Sequence, residues 1–118
     1  AAAREPGTAQ ERLHRVMRAA GQWLEAHPDP ARQMVRARAF TLADLGSPSQ
    51  QRLQAALGEI LTAGQRRGEL REVSVADAVT ALQCGYFACV LTWAADPGGR
   101  PLTDRLRASL DITLNGLA

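Results

Sequence analysis

Apolar residues recur along most of this chain at the three- and four-residue spacing of one side of an α-helix. The clearest stripe follows Ser47 and Pro48 and consists of Leu53, Ala56, Leu57, Ile60 and Leu61. A stripe of this kind predicts an amphipathic helix with one buried side. No stretch shows the strict apolar and polar alternation of a half-buried strand. The pattern therefore predicts an all-α fold.

Start and stop signals divide the chain into five predicted helices. Thr8 with Glu11 fits a capping box, Ser74 caps the fourth helix, and Gly68 and Gly116 stop the third and fifth. Short connections join neighbours, so we expect a bundle. The predicted helices span about residues 8–27, 29–45, 47–68, 74–95 and 101–116.

The fourth predicted helix is apolar on nearly every side. Between Ala78 and Ala94 its only clearly polar residues are Thr80, Gln83 and Thr92. Large side chains lie on one side, namely Val79, Leu82, Tyr86, Val90 and Trp93. Small side chains lie on another, namely Ala81, Gly85, Ala88 and Thr92. Because a small monomer cannot cover such a helix completely, we expect the small side to contact a second chain.

Length and charge limit the classes of protein to which the chain can belong. The 118 residues fit a single domain, 1–118, that buries its own core. Residues 1–59 hold eight arginines against six acids and residues 60–118 hold six against six, so the net charge of +2 forms no basic stripe for nucleic acid. Lysine is absent. No signal peptide is evident, and we expect no apolar run long enough to span a bilayer.

The sequence contains no arrangement of residues that is typical of a catalytic or metal site. His14 and His27 have no Cys or acid at ligand spacing, so neither a metal nor another cofactor is predicted. Cys84 and Cys89 lie about 140° apart around their helix, and we expect buried free thiols. No serine or cysteine nucleophile lies near a histidine, so we predict no enzyme activity.

The segment from Gly64 to Leu117 resembles the C-terminal half of TetR/AcrR-family transcriptional regulators. The shared order is GxxxGELR, an apolar helix that reaches Trp93, the Asp96-Pro97 turn and a final LD…L…GL. The resemblance implies a bacterial cytoplasmic regulator, most often a repressor. It also implies a five-helix domain whose last two helices form a four-helix bundle with a second copy. The leucine face of the fifth helix would join this interface through Leu106, Leu110 and Leu114.

The same resemblance implies a small, often apolar effector held between the first four helices. The aromatic, methionine and glutamine residues of the predicted inward faces, together with Phe40, would line that cavity. They are Met17, Trp23, Met34, Phe40, Gln54, Gln83, Tyr86 and Trp93. Periodicity alone favours an ordinary filled core.

DNA binding is expected only through an N-terminal helix-turn-helix domain, which has no counterpart in the seven residues before Thr8. Two alternatives stay open. One is a small dimeric all-helical enzyme resembling chorismate mutase, which would need inward arginines, with Arg38 as the best placed. The other is an interaction bundle without a ligand.

Overall fold

The computed structural model describes residues 6–29, 32–33 and 48–117, apart from the side chains of residues 49 and 117. It contains four long helices: α1 (Ala9–Ala26), α2 (Pro48–Arg66), α3 (Val75–Ala95) and α4 (Leu102–Leu117). They correspond to the first, third, fourth and fifth predicted helices. The described residues contain no strand, which confirms the all-α prediction.

The predicted count of five helices is not confirmed, because most of the second predicted helix lies outside the described residues. Its start alone is described. There the backbone N–H of Arg32 donates to the carbonyl of Pro28 at 3.1 Å, a helical bond.

Local signals set the helix ends as expected in three places. The Thr8 hydroxyl accepts from the N–H of Glu11 while the Glu11 carboxylate accepts from the N–H of Thr8, both at 3.2 Å. The Ser74 hydroxyl accepts from the N–H of Asp77. Gly68 follows α2 with a φ of +72°, the left-handed conformation that glycine adopts without cost. The prediction that Gly116 stops the last helix is wrong, since α4 continues to Leu117.

The four helices pack in a ring in the order α1, α4, α3 and α2, with α2 closing onto α1. Each apolar stripe faces the centre of this ring, where burial is the main stabilising contribution. The most completely buried side chains come from all helices except α3 and are Leu13, Leu57, Ile60, Leu61 and Leu102. Since α1 and α4 run antiparallel, His14 lies opposite Asp111 at one end and Gly21 lies against Thr103 towards the other.

The GxxxGELR motif forms the junction between α2 and α3. A Cβ atom on Gly64 would lie 2.8 Å from both Ala9 and Leu70, so only glycine allows α1 and α2 to approach this closely. The Glu69 carboxylate accepts from the N–H of Ala9 at 2.7 Å and thereby caps α1. Leu70 is buried in the core. Each of these residues therefore has a structural role.

A second long-range cap lies at the other end of α1. The Glu25 carboxylate accepts from the N–H of Thr103, in the first turn of α4, at 2.9 Å. Both caps join residues at least 60 positions apart in sequence. The first cap connects the start of α1 to the junction, and the second connects the start of α4 to the last turn of α1.

Helix α3 has the length and apolarity to cross a membrane, with 21 residues and a mean hydropathy of 1.4. The expectation that no run is long enough was therefore wrong. In the described fold, however, α3 packs against α2 and α4 through its large side chains. Core helices of bundles share this composition, so it is one of the bundle helices here.

Candidate functional site

The outer face of the bundle consists of the exposed small residues of α3 together with one exposed residue of α4. These are Ala81, Cys84, Ala88, Thr92 and Ile112. The Thr92 hydroxyl donates to the carbonyl of Ala88 at 2.7 Å, so its hydrogen-bonding capacity is used within the helix. Ile112 is 74% exposed, although isoleucine is usually buried. The outer face is thus apolar and turned towards solvent.

Ile112 was not predicted as an interface residue. It lies three positions from Ser109, whose hydroxyl lies next to Gly85 of α3, so Ile112 borders the same side of the bundle as α3. The sequence carried a signal for it, since an isoleucine between Asp111 and Thr113 lies off the leucine stripe of α4.

Ala81, Ala88 and Thr92 are exposed where an interface was predicted, whereas Gly85 is half-buried against α4. A Cβ at Gly85 would lie 2.9 Å from the Ser109 hydroxyl oxygen. The glycine therefore serves the close packing of α3 on α4 within one subunit.

The leucine face of α4 also belongs to the subunit core rather than to an interface. Leu106, Leu110 and Leu114 are each 3% exposed within the single chain. Their packing within the subunit leaves too little surface for a protein interface. Sequence periodicity identified the apolar side of α4 correctly, but this side packs against α1 and α3 of the same chain.

The residues predicted to line a ligand cavity are only partly brought together. Met17, Tyr86 and Trp93 are buried in the core. Tyr86 lies edge-on to Phe87, with ring centroids 5.5 Å apart. Met34 and Phe40 lie outside the described residues.

Trp23 does not face the interior. It is 54% exposed, and its ring stacks on His27 at a centroid distance of 4.4 Å. The inward position in this last turn of α1 belongs to Leu24. His27 follows α1 as its cap, and its Nδ1 lies 2.9 Å from the carbonyl oxygen of Trp23. The predicted inward orientation of Trp23 is therefore wrong, and its part in a cavity wall stays a prediction.

Gln54 and Gln83 meet between α2 and α3. The Gln54 side-chain amide donates to the Gln83 side-chain oxygen at 3.2 Å. Gln83 is only 4% exposed, and its side-chain nitrogen has no hydrogen-bond partner. A buried donor without an acceptor is costly, and such groups are rare in folded proteins. Of the predicted polar anchors, Gln83 is thus the one with unused binding capacity.

The space around Tyr86 is small. A cavity of about 10 Å³ lies between Met17, Tyr86 and residues of α4, roughly enough for one water molecule. Burial raises the pKa of the Tyr86 phenol from 10.0 to about 12, because ionisation would place a charge in an apolar surrounding.

A larger groove, of about 400 Å³, lies between α1 and α4. It was not predicted. Its lining combines apolar residues with charged residues of both signs: His14, Met17, Arg18, Thr103, Asp104, Leu106, Arg107 and Asp111. His14 Nε2 lies 3.0 Å from the Asp111 carboxylate. Sequence reasoning missed this groove because its residues come from opposite ends of the chain.

The two cysteines are free, but only one resembles the buried thiol that was predicted. Cys84 is exposed on the outer face, whereas Cys89 is half-buried and its thiol donates to the carbonyl of Arg105 at 3.5 Å. Within the described part of the chain, no group of three His, Cys, Asp or Glu side chains could hold a metal ion. None of the arginines in that part is buried, and Arg38 lies outside it.

Comparisons with protein families, with curated protein sequences and with solved structures found no match to this chain.

Proposed function

We propose that this chain is the effector-binding and dimerisation domain of a TetR-like bacterial transcriptional regulator that acts in the cytoplasm. DNA would be bound by a separate helix-turn-helix domain, since the arginines of this chain are dispersed. We expect no enzyme activity. The effector would act by favouring one dimer geometry, and each ~1.4 kcal/mol of preference changes the population ratio about tenfold.

The outer face is the observation that carries this proposal. A two-fold interface uses the same patch on both subunits, so the patch must be self-complementary. Ala81 and Ala88 allow two α3 helices to approach closely, and Ile112 offers an apolar side chain beside them. The proposed interface therefore keeps the small residues of α3 that the sequence predicted. On α4 it uses the side that bears Ile112 instead of the leucine face.

The effector part of the proposal is supported by the Gln54 and Gln83 pair. The unpartnered Gln83 amide nitrogen can donate to an acceptor oxygen on an otherwise apolar ligand. Such a ligand would have to open space beside Gln83, because the cavity of about 10 Å³ at Tyr86 is lined by residues of α1, α3 and α4 and does not include Gln83. A neutral ketone or ester matches this chemistry.

The filled surroundings of Tyr86 favour a second candidate, a dimeric interaction bundle that binds no effector. Both functions require the same dimer. They differ in whether a ligand changes the state of that dimer.

Analytical ultracentrifugation tests the dimer. We expect the wild-type chain to sediment at twice the mass of one chain at about 50 μM, and Ile112→Arg or Ala88→Arg to be monomeric, because each would place two desolvated charges at the two-fold interface. Both positions are exposed in the subunit, so the variants should keep their helical content. Ala19→Arg on the exposed side of α1 is the matched control and should stay dimeric.

A wild-type monomer at that concentration would contradict the proposal. To separate the two candidates, the chain is fused behind a helix-turn-helix domain that binds its operator only as a dimer. Release of operator DNA by a neutral ketone or ester supports the regulator. Binding that no such compound changes supports the interaction bundle.

A further inference from the structure

The groove between α1 and α4 is lined by one arginine from each helix. The antiparallel register places His14 opposite Asp111, and one helical turn further along, Arg18 and Arg107 line the same groove. Gly21 sets the separation of the two helices, because a Cβ there would lie 2.9 Å from Leu106 and 3.2 Å from Thr103.

Both arginines are exposed, and neither has a direct bonding partner within the described part of the chain. Arg18 and Arg107 make no ion pair or hydrogen bond there, although Arg107 has an aspartate on either side along α4. Of these aspartates, Asp111 is already bound to His14, and Asp104 lies one turn towards the start of α4. The two aspartates also line the groove and balance the arginines in formal charge, but neither occupies the hydrogen-bond donors of Arg18 or Arg107. A carboxylate between the two guanidinium groups would use these donors.

The floor of the groove is apolar. Met17 and Leu106 line it from the two helices and are 4% and 3% exposed. A volume of about 400 Å³ falls within the range of small-molecule sites. Guanidinium groups bind carboxylates through two parallel hydrogen bonds, whereas the floor favours a hydrocarbon body.

We propose that the groove between α1 and α4 binds a small organic carboxylate, whose charged group is held between Arg18 and Arg107 and whose apolar body lies on Met17 and Leu106. This site is separate from the outer face and from the Gln83 pair. It needs neither the dimer nor the regulator function, so either proposal can fail without the other.

Titration of the ¹⁵N-labelled chain with benzoate, followed by NMR, tests the site. We expect shifts confined to α1 and α4 around Arg18 and Arg107, and a Kd that rises at least tenfold in Arg18→Gln and in Arg107→Gln because each removes one side of the clamp. Arg66→Gln removes the same charge from the exposed end of α2 and should bind like wild type. Ile112→Arg should also bind like wild type.

Two further probes test the ligand chemistry. Benzamide has the same ring without the charge, and inorganic phosphate has charge without an apolar body, so both should bind at least tenfold more weakly than benzoate. Equal loss of binding in Arg66→Gln, or shifts outside α1 and α4, would overturn the proposed site. Phosphate binding as tight as that of benzoate would overturn the choice of an organic ligand.

Discussion

In the junction between α2 and α3, Gly64, Glu69 and Leu70 each contact a partner within the subunit, whereas Ala88 and Ile112 on the outer face are exposed. Both regions lie in the segment that carries the family resemblance. The two regions contribute to that resemblance in different ways. The distinctive GxxxGELR letters specify how the helices of one subunit meet. The less distinctive exposed residues are the ones available for association.

The largest expected effect comes from a substitution that disrupts the packing of the junction. Gly64→Val would place side-chain atoms within 2.8 Å of Ala9 and Leu70, so we expect unfolding to be easier by about 3 kcal/mol. Gly58→Ala in the same helix is the control, since a Cβ there meets nothing within 4 Å, and it should stabilise the chain by about 0.5–1 kcal/mol. Urea unfolding measures both. Equal stability of the two variants would show that the junction is not tightly packed.

The second prediction concerns the pH dependence of stability, which depends on Tyr86 on the interior side of α3. Below pH 10 the Tyr86 phenol is protonated in both folded and unfolded chains. Between pH 10 and about 12 the unfolded chain releases this proton while the folded chain retains it, so stability falls over this window and then levels. The raised pKa corresponds to a decrease of about 2–3 kcal/mol in the free energy of unfolding.

Urea unfolding between pH 9 and 12 checks this expectation. The chain has one tyrosine and no lysine, so few other groups titrate in this window. Tyr86→Phe should remove most of the pH dependence. An unchanged slope in that variant would show that Tyr86 is solvated in the folded chain.

The smallest effect concerns the polar pair inside the bundle. Gln54→Leu removes the donor that satisfies the Gln83 side-chain oxygen, so we expect a loss of about 1–2 kcal/mol. Gln83→Leu removes the buried amide itself and should change stability by less than about 0.5 kcal/mol, because the half-buried Gln54 can then bond to water. Thermal unfolding compares the two variants. A larger loss for Gln83→Leu would mean that its amide nitrogen is already satisfied.

Much of the fold follows from local sequence signals. The stripes and the caps at Thr8 and Ser74 predicted α1 and α3 to within a residue or two, and Gly68 marked the end of α2. These signals act between residues a few positions apart, where helix geometry alone fixes the neighbours.

The interface and cavity were predicted less well, because a periodic stripe shows which side of a helix is apolar without showing what covers it. Leu110 was expected at a second chain and is buried in its own. Gly85 was expected to admit a partner and instead admits Ser109. Trp23 lies at the end of its helix, where His27 offers a ring to stack on. In each case the missing information is the tertiary neighbour.

The carboxylates of Glu69 and Glu25 have a consequence for how the bundle assembles. Each satisfies the first turn of a helix that cannot cap itself fully, and each donor and acceptor pair comes from distant parts of the chain. Detachment of α1 would therefore break the caps at two helix starts at once. We expect the first and last helices to fold and unfold as one cooperative unit, although they are separated by most of the polypeptide.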